Sequence, residues 1–108
     1  MKRNQFLFLL VICVGGLLGC HILSPRQNFI EHINSKIGRD ISSMQNFEFG
    51  YKDDLIETNP LANGNYENKY KGSSHLGDCI YVFEIDSKTN KILSWRIDGD
   101  PNGCIVNP

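Results

Sequence analysis

The sequence predicts one small α+β domain. An N-terminal helix, with room for a second short one, packs on a three-stranded antiparallel sheet, and one disulfide closes the unit. Three observations carry this reading. Apolar residues recur at helical spacing just after Ser24. Two runs near the C-terminus alternate apolar and polar residues, the period of a half-buried strand. Two cysteines, Cys79 and Cys104, remain for one another once the N-terminal segment is accounted for. The chain has 108 residues, enough for one domain, and a core of that size usually needs a staple.

The N-terminal segment is a targeting signal rather than part of the fold. Lys2 and Arg3 precede an apolar run, Phe6 to Leu18, interrupted only by Gly15 and Gly16. As a helix that run rises about 20 Å, short of the ~30 Å hydrocarbon core of a bilayer, so it fits a signal-peptide h-region better than a permanent span. It ends in Leu17-Leu18-Gly19-Cys20, which resembles the lipobox of bacterial lipoproteins: an aliphatic residue, a small residue, then the cysteine. The resemblance implies cleavage between Gly19 and Cys20 and attachment of a diacylglyceryl group to the Cys20 Sγ. A thiol is the nucleophile that can carry a thioether lipid, and a small residue before it admits the peptidase. Each buried lipid methylene contributes roughly 0.8 kcal/mol, so two or three chains hold the protein at the membrane. Residues 1–19 are then the signal peptide, 20–24 a short lipidated tether and 25–108 the domain. His21, not Asp, follows Cys20. By resemblance to the enteric sorting rule this favours the outer membrane, with the domain facing the periplasm.

Ser24-Pro25-Arg26-Gln27 has the features of a helix start: a capping hydroxyl, a proline suited to the first helical position, and Gln27 placed as in a capping box. Phe29, Ile30, Ile33 and Ile37 follow at helical spacing, Lys36 lies in the last turn, and Gly38 suits the C-cap. The helix is expected over Pro25–Ile37, its apolar stripe against a sheet. Only four residues separate Cys20 from Pro25, a reach of roughly 15 Å, so the domain should sit close to the membrane. Ile41 and Met44 suggest a second short helical turn. Residues 45–65 read as turn-rich, punctuated by Gly50, Asp53-Asp54, Asn59-Pro60 and Asn63-Gly64.

Three strands follow. Tyr66–Lys71 places Tyr66 and Tyr70 on one face, and Gly72 ends it. Cys79–Asp86 places Cys79, Tyr81, Phe83 and Ile85 on one face; Lys91–Asp98 does the same for Leu93, Trp95 and Ile97. For both apolar sets to share a face, Phe83 must oppose Trp95 and Ile85 must oppose Leu93. Ser87 then opposes Lys91 across the three-residue loop Lys88-Thr89-Asn90, with Asn90 able to take the left-handed conformation such loops require.

Cysteine and charge narrow the function classes. Cys13 leaves with the signal peptide and Cys20 takes lipid. In an exported protein the remaining Cys79 and Cys104 form a disulfide by default. Closing that loop stabilises by about 3.5 kcal/mol in the chain-entropy treatment. His75 and Asp78 lie near Cys79, but no CxxC or HxxxH spacing accompanies them, and no metal or cofactor is expected. Lys2 and Arg3 also leave, so the mature chain holds nine Lys and Arg against twelve Asp and Glu, a net charge of −3. That balance argues against nucleic acid and against electrostatic docking to anionic lipid.

Asp98-Gly99-Asp100-Pro101-Asn102-Gly103 matches the first six positions of an EF-hand loop, but the position-twelve Glu would fall beyond Pro108. The expected role is a turn that returns the chain toward Cys79. His32 stands beside Glu31 on the polar side of the helix, and His75 shares a loop with Ser73 and Ser74; neither spacing suggests a catalytic dyad. Asp53-Asp54 sits where acids favour turns, and the in-face position of Trp95 points to the core.

The lipobox at Cys20, the Tyr66–Tyr70 strand and the pattern Phe83-x-x-Asp86-x-x-Thr89-x-x-Ile92-x-x-Trp95 together resemble the small outer-membrane lipoproteins of the SmpA/OmlA (BamE-like) type. The resemblance implies a helix, a short helix and an antiparallel sheet ending in a hairpin. In place of that family's Gly-rich opening of the second helix stands Gly38-Arg39-Asp40-Ile41, and Cys79 and Cys104 are additional. The expected function is a non-enzymatic module of the cell envelope, held by lipid on Cys20, that presents a sheet face or edge to another envelope protein, marked by an exposed apolar or aromatic patch rather than a polar pocket. The alternative is a small inhibitor or immunity-type lipoprotein acting on a lysozyme or a toxin, for which the Asp53–Asn65 loop is the candidate plug.

Overall fold

The computed structural model of the chain describes residues 24–72 and 79–106. The signal segment, Cys20, His21, Ser73, Ser74, His75 and Asp78 lie outside them. Among the described residues, no helix is long and apolar enough to cross a membrane.

The fold is α+β, with one α-helix over a four-stranded antiparallel sheet. Helix α1 covers Pro25–Asn34. Its start is as the sequence predicts: Ser24 Oγ accepts from the Gln27 N–H at 3.2 Å and Pro25 occupies the first turn. Its end comes three residues early. The backbone leaves the helix through 35–38, and Gly38, at φ +86°, donates its N–H to the Ile92 carbonyl at 2.7 Å. Phe29 and Ile33 are buried beneath the helix, whereas Ile37 is exposed because it belongs to that turn. The second short helical turn is present as a 3₁₀ turn, Ile41–Ser43, capped by the Asp40 side chain, with Met44 buried behind it.

The sheet has one more strand than the sequence predicts. Leu55–Pro60, expected within a turn-rich stretch, forms β1, paired with β2, Tyr66–Lys71. Strands β3, Ile80–Ile85, and β4, Ile92–Ile97, complete the order β1-β2-β3-β4. The reason β1 escapes a pattern search is visible in its burial: all six residues are exposed, so no alternation was imposed on them. It is held by the ladder to β2 and by side chains such as Thr58, whose hydroxyl donates to Asn68 Oδ1 at 2.7 Å. Buried Asn68 in turn donates to the Tyr70 hydroxyl at 2.9 Å, so this polar chain is satisfied inside the sheet.

In the β3–β4 hairpin Phe83 opposes Trp95, as expected. Nearer the turn the register differs. Asp86 and Lys91 close a four-residue turn, Ser87 to Asn90, in which the Asn90 N–H donates to the Asp86 carbonyl at 2.8 Å and Asn90 sits at φ +61°. The Asp86 carboxylate accepts from the Lys88 N–H at 2.8 Å, which stabilises this longer turn over the three-residue one. A bulge absorbs the extra residue: Glu84 opposes Ser94, yet Ile85 opposes Ile92, leaving Leu93 unpaired. Ile92 therefore fills the core position expected of Leu93, and Leu93 is 43% exposed.

The core lies between α1 and one sheet face. Tyr70 stacks on Tyr81 at 5.5 Å, and Phe49 packs edge-on against both Phe29 and Tyr81 at 5.0 and 5.1 Å. The Gly50 N–H donates to the buried Tyr81 hydroxyl at 2.8 Å. Gly50 must be glycine: its φ is +84°, and a Cβ there would meet Ile41 and Phe83 at 3.0 Å. Cys79 and Cys104, both buried, form the expected disulfide, with Cα atoms 4.8 Å apart. It fixes the C-terminal tail to the start of β3, and from there the Val106 N–H donates to the Pro25 carbonyl at 2.9 Å.

Candidate interaction surfaces

Among the described residues, Asp98 and Asp100 are held in an ion pair and a cap. Asp98 is ion-paired to Lys69 at 2.7 Å, and Lys69 also reaches Glu57 at 3.2 Å. Asp100 caps the 3₁₀ turn Pro101–Gly103 by accepting from the Asn102 N–H. The EF-hand-like hexapeptide is thus a turn that returns to Cys79 through Cys104, and among the described residues no cluster of three metal-ligating side chains occurs. His32, Glu31 and Ser35 border an open depression on α1, but the Ser35 hydroxyl donates to the His32 backbone carbonyl at 2.6 Å. That bond spends the hydroxyl within the helix end instead of presenting it to an imidazole. Asp53 and Asp54 lie in a 3₁₀ turn, Lys52–Asp54; burial, and then the charge of Asp53, push the Asp54 carboxyl upward. Trp95 is half-buried against Phe29 at 6.1 Å, and its indole N–H donates to Asn34 Oδ1, a core-edge role.

The proposed plug at Asp53–Asn65 is not a loop. Its residues form the end of that 3₁₀ turn, strand β1, and a tight turn in which Leu61 donates to Asn65 and Asn63 Oδ1 accepts from the Asn65 N–H.

The sheet face away from α1 is a lattice of crossed ion pairs. Lys69 on β2 reaches Asp98 beyond the end of β4, while Arg96 on β4 pairs with Glu67 on β2. Both pairs cross β3 over Val82, which is buried although it faces away from the helix. The long stems of Lys69 and Arg96, the direct neighbours of Val82 in the sheet, cover it.

Exposed apolar side chains gather at the two ends of the sheet. One end holds the starts of β1 and β3 and the finishes of β2 and β4, and carries Leu55, Ile56 and Ile80. The other, where α1 finishes, carries Ile37 and Leu93. Phe47 stands toward this second end, in a turn braced by its neighbour Glu48. That carboxylate accepts from Lys36 Nζ at 2.6 Å, Arg39 at 2.7 Å and the Gln45 N–H at 3.0 Å. The Lys36 ammonium, then the Gln45 N–H, hold the Glu48 carboxyl down at about 2. Phe47 itself lies at φ +75° with its side chain 59% exposed. A left-handed backbone costs roughly 1–2 kcal/mol for a residue with a Cβ. Sequence reading passed over Phe47 because no periodicity or motif marks it; the neighbouring Asn46 and Gly50 signal only a turn.

No family model, curated protein or solved structure matches the chain.

Proposed function

We propose that the mature chain is a lipid-anchored module of the bacterial cell envelope, tethered through Cys20 with its domain facing the periplasm, and that it acts by binding an envelope protein. The observation that carries this reading is Phe47: a phenylalanine displayed to solvent in a strained conformation by a turn fixed with three bonds to Glu48. Strain retained at an exposed aromatic is the signature of a site kept for contact, and aromatic anchors dominate binding energies at protein interfaces. Ile37 and Leu93 at the same end of the domain supply further apolar area. The resemblance to the SmpA/OmlA (BamE-like) lipoproteins supports an outer-membrane address. For the alternative inhibitor or immunity reading, the Asp53–Asn65 segment is an exposed edge strand and tight turn rather than a loop.

The test is in-cell photocrosslinking from a benzoyl-phenylalanine at position 47, with position 88 on the β3–β4 turn as control. The expected result is one envelope protein captured from position 47, absent from position 88, and lost when Cys20→Ala removes the anchor. Equal capture from both positions, or capture unaffected by Cys20→Ala, overturns the reading.

A further inference from the structure

The opposite end of the domain carries its own assignment. Lys71 opposes Ile80, Leu55 opposes Tyr70, and the Asp98 N–H donates to the Ile80 carbonyl, so Leu55, Ile56 and Ile80 all belong to one end of the sheet. The disulfide places Cys104 at that same end. The tail after Cys104 then binds the start of α1: Val106 donates to the Pro25 carbonyl at 2.9 Å and accepts from Asn28 Nδ2 at 3.4 Å. Arg26 adds a bond to the Pro101 carbonyl at 3.0 Å. The point where the tether enters the domain is therefore the end that exposes Leu55 at 39%, Ile56 at 54% and Ile80 at 36%.

We infer that this end of the sheet is a lipid-facing surface, with Leu55, Ile56 and Ile80 resting on the acyl-chain boundary of the membrane to which Cys20 is attached. The inference rests on the lipoprotein reading above. Chain length carries it: the residues between Cys20 and Pro25 span at most roughly 15 Å, and four strands spaced about 4.8 Å apart make an end about 14 Å wide. A tether about as long as the end is wide keeps that end close to the bilayer. It also turns contact into an intramolecular event, in which a small apolar surface suffices because its effective concentration is high. The local charge fits an apolar contact rather than one drawn by anionic headgroups: Asp53, Asp54, Asp98 and Asp100 stand at or beside this end together with Arg26, Lys52 and Lys71. In this orientation Phe47, Ile37 and Leu93 point into the periplasm, so one molecule has a lipid end and a protein end.

The experiment uses protein purified from membranes and reconstituted into phosphatidylethanolamine–phosphatidylglycerol vesicles containing brominated acyl chains. A tryptophan is placed at the lipid end (Ile56→Trp, Ile80→Trp) or at the far turn (Lys88→Trp), with the native Trp95 emission subtracted. Ile56 lies in a fully exposed strand, so that variant keeps the fold even if Ile80→Trp does not. The expected result is quenching at position 56 at least three-fold stronger than at position 88. Equal quenching at the two positions overturns the lipid-facing surface while leaving the anchor intact. The mass of the N-terminal peptide separates the two readings: a Cys20 without a diacylglyceryl group overturns the lipoprotein reading, and the lipid-facing surface falls with it.

Discussion

Phe47 and Glu48 are neighbours with opposite roles. Glu48 is held at low pKa by Lys36 first and by the Gln45 N–H next, with Arg39 completing its shell. It joins the helix exit to the 45–50 turn. Phe47 has a left-handed backbone and is 59% exposed. Glycine pays no Cβ penalty at positive φ. Phe47→Gly should therefore leave the fold intact and raise stability by about 1 kcal/mol, read as a higher urea midpoint with unchanged m-value. The same variant should lose its partner. A Phe47→Gly protein that unfolds more easily would mean that the phenylalanine is a packing residue, and its reading as a contact residue would fail. Asn90 is the contrasting case, also at positive φ, but with a side chain whose short polar head tolerates that region and which the sequence marks plainly as a turn residue.

At the scale of elements, what was legible in the sequence is what the core dictates. The Ser24 cap, the Phe29–Ile33 stripe, the β2 and β3 faces and the Phe83–Trp95 pairing all follow from burial on one side, which imposes a period on the residues. β1 was illegible because it buries nothing: an edge strand held by a ladder to β2, with Pro60 at its end, shows turn residues and no alternation. The β3–β4 bulge was illegible for another reason. Alternation in Leu93, Trp95 and Ile97 is uniform, and only the Asp86-capped turn, which needs four residues, reveals that a residue must be extruded. The consequence is measurable. Ile92, fully buried, should cost 2–5 kcal/mol when cut to alanine, while Leu93→Ala should cost under about 1 kcal/mol. An uninterrupted register would reverse that order, so urea unfolding of the two variants decides between the bulged and the regular hairpin. The candidate surfaces were less legible than the fold. Leu55, Ile56, Ile80 and Phe47 are defined by exposure, and exposure leaves no periodic mark in a sequence.

Across the whole molecule, the segment after Cys104 is tied to the start of α1. Cys104 is bonded to Cys79, and the tail beyond it is hydrogen-bonded to the first turn of α1. The disulfide thus couples three parts that the sheet alone does not join: the start of β3, the C-terminal tail and the helix N-terminus. Its separation of 25 residues corresponds to about 3.5 kcal/mol of unfolded-state entropy in the chain-entropy treatment, a large share of the 5–15 kcal/mol typical of a domain. For a domain of under 100 residues each kcal/mol shifts the melting temperature by about 4–8 °C, so reduction should lower it by roughly 14–28 °C. Cys79→Ser with Cys104→Ser should match the reduced protein. Hydrogen exchange gives the spatial half of the test. If the coupling runs as drawn, the amide of Asn28, which donates to the Ser24 carbonyl, should lose protection on reduction before the amides of β2 and β3 do. A melting temperature that falls by less than about 5 °C, or exchange that rises uniformly across α1 and the sheet, would show that the tail and the helix start are held by packing alone, and that the disulfide is a passive crosslink rather than the joint between helix start and sheet.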